Sequence, residues 1–280
     1  MTTRRLAKPL LALSAAIAAG LLCSPAANSG ETKEVKPIKA LLVTGGGWHD
    51  YEQQKKILTE GVSARANVEW TIHLDPSKKD DHKMPLFEDP RWAEGYDIVV
   101  HNECFAAIND RDFVAKALAP HKAGTPGIVV HCAMHTFRDL KADDWREFLG
   151  VSTYRHGSKH PLDVKTLQPE NPIMKGFPSS WITVNEELYR IEKVWPGTTV
   201  LAEAKAEDGD KKVNPVIWSH TYGKAKVFGT TIPHNNRTMA DGVYLDLFTR
   251  GLLWATDKLD EDGKPKAGYG PAATAAPKAE

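Results

Sequence analysis

The stretch that decides the fold is Pro126-Gly127-Ile128-Val129-Val130-His131-Cys132-Ala133-Met134-His135. It is a short, β-branched apolar run opened by Pro-Gly and closed by His-Cys. Such a run suits a strand covered on both faces, as in a parallel sheet. Two other segments repeat the pattern. Ala40-Leu41-Leu42-Val43 leads into Thr44-Gly45-Gly46-Gly47-Trp48-His49, and Ile98-Val99-Val100 leads into His101-Asn102-Glu103-Cys104. Open α/β sheets bind ligands outside the carboxyl ends of their strands. If the three strands are parallel neighbours, His49, His101, His131 and His135 gather along one edge with Glu103, Cys104 and Cys132.

Outward from that stretch, strand and helix signals alternate. Ile38 to Thr44 reads as a strand, and Tyr51 to Ala64 as a helix with Ile57, Leu58 and Val62 at helical spacing. Val68 to Leu74 is a strand, Pro76 to Pro90 a charged loop, and Asp97 to His101 a strand. Asn109 reads as the N-cap of a helix carrying Phe113, Ala117 and Leu118, and Ala142 to Leu149 as a short helix. This alternation predicts a parallel, doubly wound sheet. Beyond residue 160 the pattern changes. Leu162 to Leu167, Thr198 to Ala206, Val213 to Ser219 and Ala225 to Thr231 alternate like strands. Tyr222-Gly223-Lys224 reads as a hairpin loop and Tyr244 to Thr256 as a closing helix.

The ends carry a different message. Arg4, Arg5 and Lys8 precede an apolar run to Leu22, followed by small residues, the order of a secretory signal peptide. The run is shorter than the roughly 18 apolar residues of a membrane span. Leu22 stands before Cys23 where a lipoprotein signal carries a small residue. The expected division is a signal and cleavage region at 1–29, a flexible leader at 30–37, one α/β domain at 38–257 and a disordered tail at 258–280. The expected location is the periplasm or the medium, with no membrane association after signal removal. The chain has 36 basic and 36 acidic residues, and the signal removes three basic ones, leaving a net charge of about −3. No basic stripe marks a nucleic-acid partner.

Cys104 and Cys132 survive signal removal. In an exported chain two cysteines read as a disulfide or as two separate buried thiols, and spacing alone does not choose. Gly45-Gly46-Gly47 matches neither dinucleotide nor Walker A spacing, so it reads as a tight turn and no nucleotide cofactor is expected. Arg155-His156-Gly157-Ser158 reads as a solvated loop, with a flap over the site as the sharper alternative.

Several ordered motifs resemble one family. They are Gly-Gly-Gly-Trp-His at 45–49, Gly-Ile-Val-Val-His-Cys at 127–132, His-Pro at 160–161, Asn-Pro-Ile-Met-Lys-Gly-Phe at 171–177 and Asn-Glu-Glu-Leu-Tyr at 185–189. Pro-Val-Ile-Trp at 215–218, Tyr-Gly-Lys-Ala-Lys-Val-Phe at 222–228, Ile-Pro-His at 232–234 and Gly-Leu-Leu-Trp-Ala at 251–255 complete the set. Together they resemble the ThuA-like, trehalose-utilisation family over nearly all of residues 38–257. The resemblance implies a flavodoxin-like, class I glutamine amidotransferase-like three-layer sandwich with a mostly parallel central sheet. It also implies a role with oxidised (keto) sugars and, in some members, a metal at a histidine cluster. Mapped by motif, the shared polar positions are His49, His131, Glu187, Tyr189 and His234. The chain departs from the family at Pro233-His234, where Gly-His is usual, and at Ala225-Lys226, where Gly-Arg is usual.

Two chemistries follow. A cysteine nucleophile at Cys132 is disfavoured, because a nucleophile elbow wants small residues two positions away and Val130 and Met134 stand there. The amidotransferase His-x-Glu is also absent, since Asn235 and Asn236 follow His234, so glutamine amidotransferase activity is not expected. The favoured site uses His131, Glu187 and His234 as catalytic groups. His49, His131, Glu187 and His234 are candidate ligands for a divalent metal such as zinc, and metal-free acid–base catalysis is the alternative. Trp48, His49 and Tyr189 are the candidate contacts to a small sugar substrate, with Trp48 either stacking on a sugar face or closing the rim of the core. The expected function is an exported hydrolase- or lyase-like enzyme on a (keto-)sugar or glycoside. The rival is a non-catalytic carbohydrate-binding protein on the same scaffold.

Overall fold

Three apolar strands expected to lie side by side do so in the computed structural model. It describes residues 1–2, 35–205 and 212–271. The signal-like segment, the first part of the leader and the last residues of the tail lie outside the described residues. Val35 opens the unit that carries every element below. In chain order these are β1 (Ile38–Gly46), α1 (Tyr51–Ser63), β2 (Val68–Asp75), β3 (Ile98–Cys104), α2 (Arg111–Ala123), β4 (Gly127–Val130), α3 (Asp144–Leu149) and β5 (Val151–His160). Next come β6 (Asp163–Thr166), β7 (Ser180–Ile182), β8 (Glu186–Val194), β9 (Thr198–Lys205), β10 (Val213–Tyr222), β11 (Ala225–Thr230), α4 (Asn236–Met239) and α5 (Gly242–Ala255).

A nine-stranded sheet runs β2-β1-β3-β4-β11-β10-β9-β6-β7. From β2 to β11 neighbours are parallel, and from β11 to β7 they are antiparallel. The sheet is therefore parallel in one half only, not mostly parallel. The reason lies in the connections. Crossovers with helices build the first half, whereas β10 and β11 are joined by a two-residue Gly223-Lys224 turn that forces antiparallel pairing. A separate antiparallel ribbon joins β5 to β8.

Alternation along the parallel strands splits the core in two. Ala40, Leu42, Ile98, Val100, Ile128 and Val130 face Leu58 and Val62 of α1 and the apolar side of α5. Leu41, Val43, Val99 and Val129 face Phe113 and Val114 of α2 and Trp145 and Phe148 of α3. Both faces are covered, so no polar residue interrupts these runs, and three layers result.

Three sequence expectations change and one open choice is decided. Asp110, not Asn109, caps α2, accepting from the amides of Asp112 and Phe113. Segment 155–158 is part of strand β5 rather than a solvated loop, because it pairs with β8 across His156–Tyr189 and Lys159–Glu187. Residues 258–271 are packed, not a disordered tail. Leu259 is buried in the core, Tyr269 packs against it, and the Tyr269 and Gly268 carbonyls accept from Asn67. Two apolar anchors, Leu259 and Tyr269, suffice in a segment otherwise dominated by charged residues, Gly and Pro. Cys104 and Cys132 form a disulfide with Cα atoms 5.4 Å apart, linking the ends of neighbouring strands β3 and β4.

Candidate functional site

The site lies where β1, β4, β8 and β11 end or begin. At the end of β1, Gly45 and Gly46 take φ of +140° and +116°. A Cβ there would lie 2.6 Å from the Asp75 carbonyl oxygen and 2.5 Å from that of Cys104. Only glycine lets the chain leave the sheet so close to both neighbours. The turn delivers Trp48 and His49 just before Asp50, which caps α1 by accepting from the Gln53 amide.

At the end of β4, His131 adopts φ of +44°, a left-handed conformation costly for a residue with a Cβ. The strained position after this strand is thus His131, one residue before Cys132. Cys132 is held in the disulfide and offers no thiolate, in keeping with the reading against a cysteine nucleophile. His131 is 2 % exposed, and its Nδ1–H donates to the Thr231 carbonyl, 2.6 Å away just past β11. This fixes the tautomer and leaves the Nε2 lone pair facing the cleft.

His234 is positioned from β8. Glu186 accepts from its backbone N–H and, through the other oxygen, from Asn235 Nδ2 at 3.0 Å. Asn236 ties the same segment to the α1 cap through Asp50. Glu187, the next residue on β8, faces the cluster. Its Oε2 lies 3.5 Å from His131 Nε2 and 3.2 Å from His234 Nδ1, and those two nitrogens are 3.2 Å apart. His49 closes the group. One ring nitrogen from each of His49, His131 and His234 lies within 4.8 Å of the others, and the ring centroids are 4.9–5.2 Å apart.

Zinc–ligand bonds of about 2.0–2.2 Å place tetrahedral ligand atoms about 3.3 Å apart. The triangle of His131 Nε2, His234 Nδ1 and Glu187 Oε2 has that spacing, with His49 as a fourth donor. The protonation pattern agrees. Burial, then the neighbouring His131 and His234, push His49 down to about 3, and burial lowers His131, so both stay neutral imidazoles. Burial would raise Glu187, but the His131 and His234 rings that face it outweigh burial and hold the carboxyl well below its usual range. Glu186 is pushed up to about 7 by burial, with hydrogen bonds from Thr238 and His234 pulling the other way.

Above the cluster opens a cleft of about 310 Å³ lined by Trp48, the disulfide, His135, Arg138, His156 and Tyr189, among others. Trp48 stands at the rim, 58 % exposed, its indole N–H donating to Asp80 at 2.6 Å. Tyr189 is buried in the wall, near-parallel to His135 and His156. His156 also approaches Glu187 at 3.5 Å. The structure therefore brings together His49, His131, Glu187 and His234, with Trp48 and Tyr189 on the cleft wall. His101 and Glu103 do not join them. β3 runs on to Cys104, so both are mid-strand and point into the α2 side of the core, bonded to each other at 2.8 Å. Sequence reasoning missed Glu186, Arg138 and Lys159, and it placed His135 at the strand-end edge without a role. The Glu186-Glu187 pair on one strand was a usable signal, since alternate residues face opposite ways.

Comparison with solved structures places the fold. A ThuA-like protein from Parabacteroides merdae superposes with a TM-score of 0.66 at 19% identity, covering 84% of this chain and 97% of that one. One from Bacteroides uniformis gives 0.61 at 14% identity, covering 82% and 96%. A cytoplasmic protein of Salmonella typhimurium gives 0.53 at 14% identity, covering 77% and 98%. No curated protein matches the chain. The family model described as "ThuA: Trehalose utilisation" matches residues 39–255, which span every element of the sheet from β1 onward, and the chain belongs to that family.

Proposed function

We propose that the protein is a carbohydrate-active enzyme of hydrolase or lyase type, acting on a sugar, keto-sugar or glycoside at the His49, His131, Glu187 and His234 cluster. Family membership supports the carbohydrate link. The observation that carries the catalytic reading is the triangle of His131, His234 and Glu187 donor atoms 3.2–3.5 Å apart, with a His49 ring nitrogen within 4.8 Å of the two other imidazoles, at the floor of an open cleft. The four groups would hold a divalent metal such as zinc. When bound, such an ion lowers the pKa of a coordinated water and polarises a carbonyl or leaving-group oxygen. The chain's own residues supply the rest. The Thr231 carbonyl orients the His131 ring, Glu186 fixes the His234 backbone, and Glu187 is an ionised carboxylate that completes the donor set. His156 Nε2, within 3.5 Å of Glu187, is a group through which a proton can pass. Export through residues 1–29 belongs to the same reading.

The test is metal analysis of protein purified without chelators, paired with turnover assays on trehalose and on keto-disaccharides. One equivalent of metal, lost in His131→Ala and His234→Ala together with turnover, supports the reading. Sugar binding without turnover, unaffected by either substitution, moves the protein to the non-catalytic binder class.

A further inference from the structure

The cleft carries a charge arrangement that the histidine cluster does not use. Arg138 and Lys159 both line it. The Arg138 side chain is 37 % exposed, and its guanidinium makes no hydrogen bond among the described residues. The nearest carboxylate in ion-pair range is Asp139, at 4.0 Å. Lys159 lies opposite Glu187 in the β5–β8 ribbon, with Nζ 3.9 Å from Glu187 Oε1. Glu187 is the lone carboxylate among the residues lining the cleft, against two permanent cations. Its charge is already shared with His131, His234 and His156.

Arg138 is held in place by its backbone. Its amide donates to the His135 carbonyl at 3.0 Å, and its carbonyl accepts from Arg146 Nη2 at 3.0 Å. The residue before it, Phe137, is buried with φ of +58°, a strained conformation fixed by its amide donating to the Phe105 carbonyl. A free surface arginine has no need of such a mount. The segment runs directly from the 3-10 turn that begins at His131, so the reaction centre and the guanidinium share one rigid stretch of chain.

We propose that Arg138 and Lys159 form an anion-recognising subsite beside the histidine cluster, so that the substrate is a sugar bearing a carboxylate or phosphate group. This rests on reading the cluster as the reaction centre. The guanidinium presents a fork of N–H donors that fits a carboxylate or phosphate in two parallel bonds, and an ammonium adds a point charge to the same oxyanion. A neutral sugar offers the guanidinium no charged partner and gains nothing from it beyond ordinary hydrogen bonds. The cleft volume of about 310 Å³ matches a small polar ligand of mono- to disaccharide size.

Titration calorimetry at pH 7 on zinc-loaded full chain would use D-glucuronate, D-glucose 6-phosphate and D-glucose as probes. The expected result is binding of at least one anionic sugar about tenfold or more tighter than glucose. Arg138→Gln should remove about tenfold to a hundredfold of that affinity, Lys159→Ala less, with glucose affinity unchanged. Glucuronate and glucose 6-phosphate separate the carboxylate from the phosphate source. An anion drawn only to the metal would be indifferent to Arg138, so an unchanged preference in Arg138→Gln overturns the proposal. Equal affinity for glucose and the anionic sugars overturns it, as does failure of both anions to bind while zinc is retained. If zinc does not bind but the Arg138-dependent preference persists in zinc-free protein, the metal reading falls and the subsite stands. Both side chains are at the surface, and circular dichroism of each variant checks the fold.

Discussion

Two histidine clusters lie on the parallel half of the sheet, and they have opposite fates. In the core under α2, His121 Nδ1–H donates to the Thr125 carbonyl at 2.8 Å. Its Nε2 then accepts from His101 Nε2–H at 3.0 Å, and His101 Nδ1 meets Glu103 Oε1 at 2.8 Å. Every ring nitrogen is used, and all three side chains are fully buried. At the strand ends, the Thr231 carbonyl takes one N–H from His131, and one ring nitrogen from each of His49, His131 and His234 lies within 4.8 Å of the others at the floor of a cleft. The same residue types make a closed hydrogen-bonded plug in one place and an open donor set in the other. Position along the strand decides: His101 is mid-strand, whereas His131 is the first residue past the end of β4.

The largest effects should come from exchanging these roles. His131→Ala or His234→Ala is expected to weaken zinc binding by more than about a hundredfold, beyond what loss of an outer-shell partner brings, with little change in metal-free stability beyond about 1 kcal/mol. His101→Ala should do the reverse. It leaves the Glu103 carboxyl buried without its partner, so unfolding free energy should drop by about 3–5 kcal/mol while zinc affinity in the folded protein stays within twofold. Denaturant titration and competitive zinc titration on the same samples check both halves. Equal loss of stability in the two variants would erase the distinction.

Much of this was legible in the sequence. The apolar runs at 40–43, 98–100 and 127–130 identified the parallel strands, and the polar residues beyond them marked the edge that carries the site. His101 was misplaced because period-two reading ended β3 too early. Glu103 and Cys104 extend the strand with polar residues that a buried hydrogen-bonded pair and a disulfide make tolerable. Strand β8 was missed since Glu186, Glu187 and Arg190 interrupt the apolar pattern, although each is buried. Polar residues that serve a site hide the element that carries them. Arg138 was out of reach for a different reason: its placement follows from a 3-10 turn and one left-handed residue, neither of which has a periodic signature.

Smaller effects sharpen the contrast. Glu186→Ala removes the acceptor for the His234 amide and for Asn235, and should weaken zinc binding about 10–100-fold, as loss of a residue that orients a ligand does. Acid should act mainly through the core. Burial, then His101, push His121 down to about 3, against an unperturbed value near 6.5. The folded value lies below the unfolded one, so protons favour the unfolded chain. The stabilisation is complete above pH 6.5 and is lost as pH falls from there toward 3. Between pH 7 and pH 5 this single group should cost about 2 kcal/mol. His121→Phe keeps a ring beside Phe148, 4.2 Å from His121 in the native stack, and cannot take up the proton. Its loss of unfolding free energy over the same interval should be about 2 kcal/mol smaller. An identical pH slope in variant and parent would put the acid sensitivity elsewhere, with His49 the next group to test.

The smallest expected effect concerns the rim. Trp48 is more than half exposed, and its indole N–H is held by Asp80. Few apolar contacts depend on it, so Trp48→Ala should change stability by no more than about 0.5 kcal/mol. Its value lies in the exposed ring face beside the cleft. Stacking of an apolar ligand face on an aromatic ring contributes roughly 0.5–1.5 kcal/mol, so the same substitution should weaken sugar binding by about twofold to tenfold. Trp48→Phe separates the two roles of the side chain, because it keeps a ring face and gives up the bond to Asp80. Near-parental affinity in Trp48→Phe with reduced affinity in Trp48→Ala assigns the effect to stacking. Equal weakening in both assigns it to the Asp80 tether that sets the ring's angle. Sugar affinity unchanged in both, measured by calorimetry on zinc-loaded protein, leaves Trp48 as a rim residue and confines ligand recognition to the charged side of the cleft.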